Sequence, residues 1–195
     1  MKKPLSQRSM ARRGQGGATL IEVLVSLVIL MLGLLGLVGV MIQSQRGQVE
    51  SYQRVQALLL VQDMTARLNA NKLVAPCYVQ AGFLGTGNET IPATAACTLG
   101  TADQKDRVTS DLTEWRDLLL GSAELAGTDK VGAVLGARGC ITRDASDRYQ
   151  VSIAWQGSGS TAAPPAGVPC AQGEYGADDA ARRAVSVTAQ IAPLS

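Results

Sequence analysis

The chain has 195 residues, enough for one membrane helix and one soluble domain of ordinary size. It contains no histidine, which removes Ser-His and Cys-His catalysis together with the commonest metal ligand, and its 4% aromatic content leaves little material for stacking on bases or sugars. The formal charge of +2 is unevenly placed: five of the 18 Lys and Arg precede Gly17, leaving 13 basic against 16 acidic side chains beyond it, so no basic nucleic-acid surface is expected.

Residues 1–17 form a basic leader, with Lys2, Lys3, Arg8, Arg12 and Arg13 and no acidic residue. The leader meets an apolar run at Gly16-Gly17-Ala18-Thr19-Leu20-Ile21-Glu22-Val23-Leu24. From Ala18 to Ile42 every residue is apolar or small except Thr19, Ser26 and Glu22, and no charge occurs from Val23 to Gln45. About 20 apolar residues suffice to cross the hydrocarbon, so a membrane span is expected at about residues 20–42. The basic flank predicts that the leader stays in the cytoplasm. A secretory signal places its small-residue cleavage site after the apolar stretch. Here the small residues come first, so a cut at Gly17 keeps the helix on the mature chain. Glu22 is the odd member, because an ionisable group in a membrane-length segment is by default functional.

The run from Gly17 to Val25 resembles the class III signal sequence of the type IV pilin and pseudopilin family. The resemblance implies cleavage by prepilin peptidase between Gly17 and Ala18, N-methylation of Ala18, and Glu22 as the fifth mature residue. Most members have phenylalanine or methionine where this chain has Ala18. In the family this glutamate pairs with the terminal amine of a neighbouring subunit, so Glu22 is expected to be a docking residue with no catalytic role.

The first element is expected to be one helix over residues 18–71, apolar to about Gln43 and mixed beyond. Tyr52, Val55, Leu59 and Met64 or Leu68 recur at helical intervals and predict its buried stripe. Gly33, Gly36 and Gly39 mark a packing or flexing face within the apolar half. From Lys72 to about Thr109 no period is sustained, and a structured loop is expected. A second helix is predicted from Ser110 to Leu125, capped by Ser110 or Asp111, with Leu112, Trp115, Leu118 and Leu119 on one face.

All four cysteines, Cys77, Cys97, Cys140 and Cys170, follow the apolar helix. An even number on the outer side of a membrane reads as disulfides, and a zinc site lacks any Cys-x-x-Cys spacing. Three pairings are open to them. Local closure favours Cys77–Cys97 and Cys140–Cys170, each worth about 3 kcal/mol in the chain-entropy account.

The last third reads as antiparallel sheet. Gly139–Arg143 leads through the turn-rich Asp144-Ala145-Ser146-Asp147 into Tyr149–Trp155, which alternates large apolar with small or polar residues. Gly157–Pro169 is a loop, and Arg183–Ile191 alternates again. The expected fold class is α+β, the pilin fold: a long N-terminal helix, membrane-spanning in its first half, packed against a small antiparallel sheet. Residues 72–195 would form a periplasmic globular domain.

Within the family the closer likeness is to the minor pilins. It rests on Leu30-Met31-Leu32-Gly33-Leu34-Leu35-Gly36-Leu37, a Trp-containing helix, the Gly139-Cys140 strand start and Val151–Gly157. That likeness implies a structural subunit of the inner membrane and then of the pilus, which helps to start type IV pilus assembly. Its partners would be other minor pilins, the major pilin, prepilin peptidase and the inner-membrane assembly platform. A minor pseudopilin of a type II secretion system is the alternative. No cofactor, metal or directly bound nucleic acid is expected. Asp144, Asp147, Asp178 and Asp179 read as turn and loop residues with no catalytic base beside them.

Overall fold

A computed structural model describes residues 17–92, 97–122, 125–126, 129–130, 132, 134–176 and 178–191. Residues 1–16 of the leader lie outside the described residues. Helix α1 spans Leu20–Ala70 and crosses the boundary, between Gln45 and Arg46, at which the chain divides into two units.

In the first unit the large apolar side chains from Leu20 to Ile42 are all exposed. Among the described residues α1 is the one helix long and apolar enough to cross a membrane. Contiguous apolar surface of this extent does not persist in water.

In the second unit α1 is a scaffold. Ala57, Val61, Met64 and Leu68 are fully buried, spaced by four, three and four residues. The expected stripe holds at Met64 and Leu68 but not before them: Tyr52, Val55 and Leu59 are 57, 52 and 59% exposed. Large apolar residues occupy two faces of this stretch, and the buried face contains the small Ala57, which lets other elements approach the backbone closely.

After α1 the chain makes a 3-10 turn (Lys72–Tyr78), kinked at Val74 and containing Pro76, and then the short edge strand β1 (Leu84–Gly85). Helix α2 runs from Ala102 to Leu119, starting eight residues before the expected Ser110 and ending before Leu125. Thr101 sets its start through a capping box: the Gln104 amide donates to the Thr101 hydroxyl at 3.3 Å, and the Thr101 amide donates to Gln104 Oε1 at 2.9 Å. Gly121, at φ 92°, stops it in the left-handed conformation that glycine adopts freely. A two-stranded hairpin follows, β2 (Leu125–Ala126) and β3 (Asp129–Lys130).

The main sheet has the order β1-β4-β5-β6, with β4 (Arg138–Arg143), β5 (Arg148–Gln156) and β6 (Arg182–Gln190) all antiparallel. Its inner face presents Ile141, Val151, Ile153 and Val185 to the core that also holds the buried stripe of α1 and Val108, Leu112, Trp115 and Leu119 of α2. The Trp115 indole N–H donates to the Leu60 carbonyl of α1 at 3.0 Å. The Arg183 guanidinium of β6 is paired with Glu50. Together these contacts fix the lower part of α1 against α2 and the sheet.

Gly139 lets Trp115 lie on β4. A Cβ at this position would stand 2.3 Å from the Trp115 ring and 2.9 Å from Leu119. Gly139→Ala is therefore expected to lower unfolding free energy by about 1–3 kcal/mol through overpacking. Gly47→Ala is the control: it is on exposed helix with nothing within 4 Å, and it should be neutral or stabilising by up to about 1 kcal/mol. Chemical denaturation of both variants checks this, and equal stability at position 139 would contradict the packing described.

Candidate functional site

The Gly17–Ala18 bond lies in non-helical backbone just before α1. Thr19 sets the start of the helix. Its carbonyl accepts from the amides of Glu22 at 3.0 Å and Val23 at 3.3 Å, and its hydroxyl accepts from the Glu22 amide at 3.4 Å. Gly17 itself is not demanded by the fold, since a Cβ there would meet nothing within 4 Å. A glycine that the chain's own packing does not use is free to serve recognition by another molecule.

Glu22 is in the first turn of α1, where a negative charge suits the helix dipole. Its backbone carbonyl accepts from the Ser26 hydroxyl at 2.7 Å, which satisfies that hydroxyl within the helix. The carboxylate has no hydrogen bond or ion pair among the described residues. It is exposed on a helix whose surrounding side chains are apolar. Gly33, Gly36 and Gly39 also have open space at Cβ, so the fold of one chain does not explain them either.

Disulfides join Cys77 to Cys97 and Cys140 to Cys170, with Cα separations of 5.6 and 5.7 Å. The first closes the segment that follows the 3-10 turn. The second fastens the end of the 157–169 loop to β4.

Several acidic residues of the globular unit are engaged in bracing. Asp144 accepts from the amides of Ser146 and Arg148 and from the Arg148 guanidinium, at 2.8, 3.0 and 2.8 Å. These bonds, led by the Arg148 amide, hold its carboxyl below the usual range. Asp147 pairs with Arg143 at 2.5 Å. Asp179 departs from the charged-loop expectation: it is buried, pairs with buried Arg182 at 2.9 Å, and accepts from the Gly173 amide at 2.9 Å. Among the described residues no group of three His, Cys, Asp or Glu is placed to hold a metal ion.

Asp111 is the most elaborate of these polar centres. It is 1% exposed and accepts from Tyr78 Oη at 2.5 Å, while Arg67 and Arg107 pair with it at 3.0 and 3.2 Å. Arg67 also holds Asp63 and Glu114, at 2.9 and 2.6 Å. Burial opposes the Arg67 charge, but hydrogen bonds to Glu114, Asp63 and Asp111 outweigh it and raise its pKa. Burial, then the bond to Asp111, raises the Tyr78 pKa. The cluster joins the end of α1, the 3-10 turn and α2 through hydrogen bonds and ion pairs. Sequence reasoning missed it, because residues 67, 78 and 111 are brought together only by the tertiary fold.

Residues 12–38 match the family described as the prokaryotic N-terminal methylation motif. No curated protein and no solved structure shows significant similarity to the chain. The match brackets the Gly17–Ala18 bond and supports a type IV pilin-family protein, a structural subunit rather than an enzyme. It implies, in general terms, processing by prepilin peptidase and assembly with other pilins. With the apolar part of α1 it supports membrane anchoring.

Removing the Asp111 carboxylate leaves the buried Tyr78 hydroxyl without its acceptor. Asp111→Ala is expected to lower unfolding free energy by about 1.5–3 kcal/mol. Tyr78→Phe should lower it by less, since Asp111 keeps both arginines. The Tyr78 contribution is complete below the ordinary tyrosine pKa of 10.0 and is lost as pH rises from there through the raised folded value. Denaturation curves of both variants, with and without alkaline pH, check the ordering; a costlier Tyr78→Phe would contradict it.

Proposed function

We propose that the chain is a minor type IV pilin of the kind represented by the type IV pilus modification protein PilV. A membrane-anchored subunit of this kind helps to initiate pilus assembly and is incorporated into the fibre. The observation that carries the reading is the N-terminal junction: a glycine the fold does not use, five residues before a carboxylate that has no partner among the described residues, at the head of an apolar helix.

On this reading residues 1–17 are a leader removed by prepilin peptidase, and Ala18 becomes the N-methylated terminus. Residues 18–71 form the long helix, inserted in the inner membrane at about residues 20–42, and residues 72–195 face the periplasm. The Cys77–Cys97 and Cys140–Cys170 bridges suit that oxidising compartment. The flank of five positive charges suits a cytoplasmic leader.

Glu22 then serves assembly. A lone carboxylate in an apolar setting costs several kcal/mol unless it is paired. Cleavage creates a cation four residues away, the amine of Ala18. The same amine on a neighbouring subunit is the partner that fits docking, and the pairing sets the axial position of one helix against the next. The partners are other minor pilins, the major pilin and the inner-membrane assembly platform.

Glu22→Ala tests this role. Insertion and cleavage should be unchanged, because neither uses the carboxylate, while the amount recovered in sheared surface fibres should fall by about tenfold or more. Normal incorporation would remove the docking role. If the native chain is absent from fibres and its deletion instead abolishes protein secretion, the pseudopilin alternative takes its place.

A further inference from the structure

The two edges of the main sheet are finished in different ways. The β1 edge has only two residues, and its outward Gly85 is closed off by Asn88 through hydrogen bonds of 2.9 and 3.0 Å. β6 forms the other edge and pairs with β5 residue for residue from Arg182 to Gln190, without a bulge. Arg182 and Arg183 at its start are matched by Asp179 and Glu50. From Ala184 to Ile191 there is no charge and no proline. Edge strands are ordinarily guarded by shortness, a bulge, a charge or a proline, and β6 beyond Arg183 has none of these.

The backbone shows which groups of β6 are unused. The Gly157 amide donates across the strand pair to the Ala181 carbonyl at 2.8 Å, whereas the Arg182 amide turns away to the Asp179 carbonyl at 2.9 Å. In an antiparallel ladder this direction alternates residue by residue. Arg183, Val185, Val187 and Ala189 therefore bond β5, while Ala184, Ser186, Thr188 and Gln190 point their amides and carbonyls outward. The loop after β5 covers this edge only ahead of the strand, where the Thr161 amide donates to the Ala180 carbonyl at 2.8 Å. From Ala184 to Gln190 the outward backbone groups have no hydrogen-bond partner among the described residues.

We propose that β6 is a docking edge that takes an extended, uncharged segment of a partner protein as an added antiparallel strand. The backbone supplies the attraction and the two faces of the sheet supply the selection. On the inner face the added side chains lie beside Val185, Val187 and Ile191, which border the core, so apolar residues fit and charges do not. On the outer face they lie beside Ser186, Thr188 and Gln190, which suits hydroxyls and amides. The occupant is thus a strand that alternates apolar with neutral polar residues. The edge belongs to the globular unit and stands apart from the reading of the N-terminal junction.

A peptide with the sequence of residues 184–190 has this alternation. Set antiparallel about Val187, it places Ser opposite Thr and Val opposite Val. Titrated by calorimetry into the full chain in detergent, it is expected to bind, and its Val187→Asp form to bind at least about tenfold more weakly. In the chain, Thr188→Pro removes an outward amide that the ladder with β5 does not use. It should leave the denaturation midpoint unchanged while weakening peptide binding by about tenfold or more. Hydrogen exchange of the unsubstituted chain gives a second reading: the amides of Ala184, Ser186, Thr188 and Gln190 should slow by about tenfold or more when the peptide is added. No binding, equal binding of the aspartate form, or no slowing at these amides would overturn the proposal. Dimers of the chain alone that Thr188→Pro abolishes would assign the edge to a second copy and overturn it likewise.

Discussion

Helix α1 must satisfy two unlike surroundings along one run of backbone. Before Gln45 its large apolar side chains are exposed, and their apolar character suits lipid, where a helix is tolerated because it satisfies its own backbone. Below Arg46 the same helix buries Ala57, Val61, Met64 and Leu68 and becomes the support for α2 and the sheet. Glu22 breaks the first regime. Its carboxylate is the one acidic group between Ala18 and Gln45, and nothing in its own chain among the described residues neutralises it. A group of that kind persists where another molecule completes it.

The globular unit uses its charges in the opposite way. Asp111, Asp179 and Arg182 are buried and matched, and Arg138 lies between two rings. Each ties separate segments: Asp111 joins both helices and the 3-10 turn, while Asp179 with Arg182 holds the 168–173 segment. Removing one member of such a pair is costly because its partner is left uncompensated. The disulfides act on the same segments, so covalent and ionic braces converge on the irregular parts of the fold. A chain with 21 glycines and few aromatic residues has particular need of them.

Much of this was legible from pattern. The alternation of Tyr149–Trp155 and Arg183–Ile191 located β5 and β6 to within a residue or so, because one face of each is buried in the core. The helix expected around Trp115 starts eight residues earlier, because the Thr101–Gln104 capping box and not Ser110 or Asp111 sets its start, and Gly121 ends it. Of the stripe expected on α1, Met64 and Leu68 are buried, whereas Tyr52, Val55 and Leu59 are exposed and the smaller Ala57 takes the buried face, where size is no guide. Ser152 and Ala154 look solvent-facing by alternation but are covered by the 169–175 segment, which no local pattern announces. The N-terminal junction was readable because its chemistry is local. The Asp111 cluster was not, because its members meet only in the folded chain.

If the apolar half of α1 is retained and the leader is not, the chain recovered from its native membrane carries the evidence at its first residue. Mass spectrometry of that N-terminal peptide is the most direct measurement. A peptide beginning at Ala18 and heavier by one methyl group is predicted. A peptide beginning at Met1, or one beginning beyond the apolar helix, would contradict the assignment.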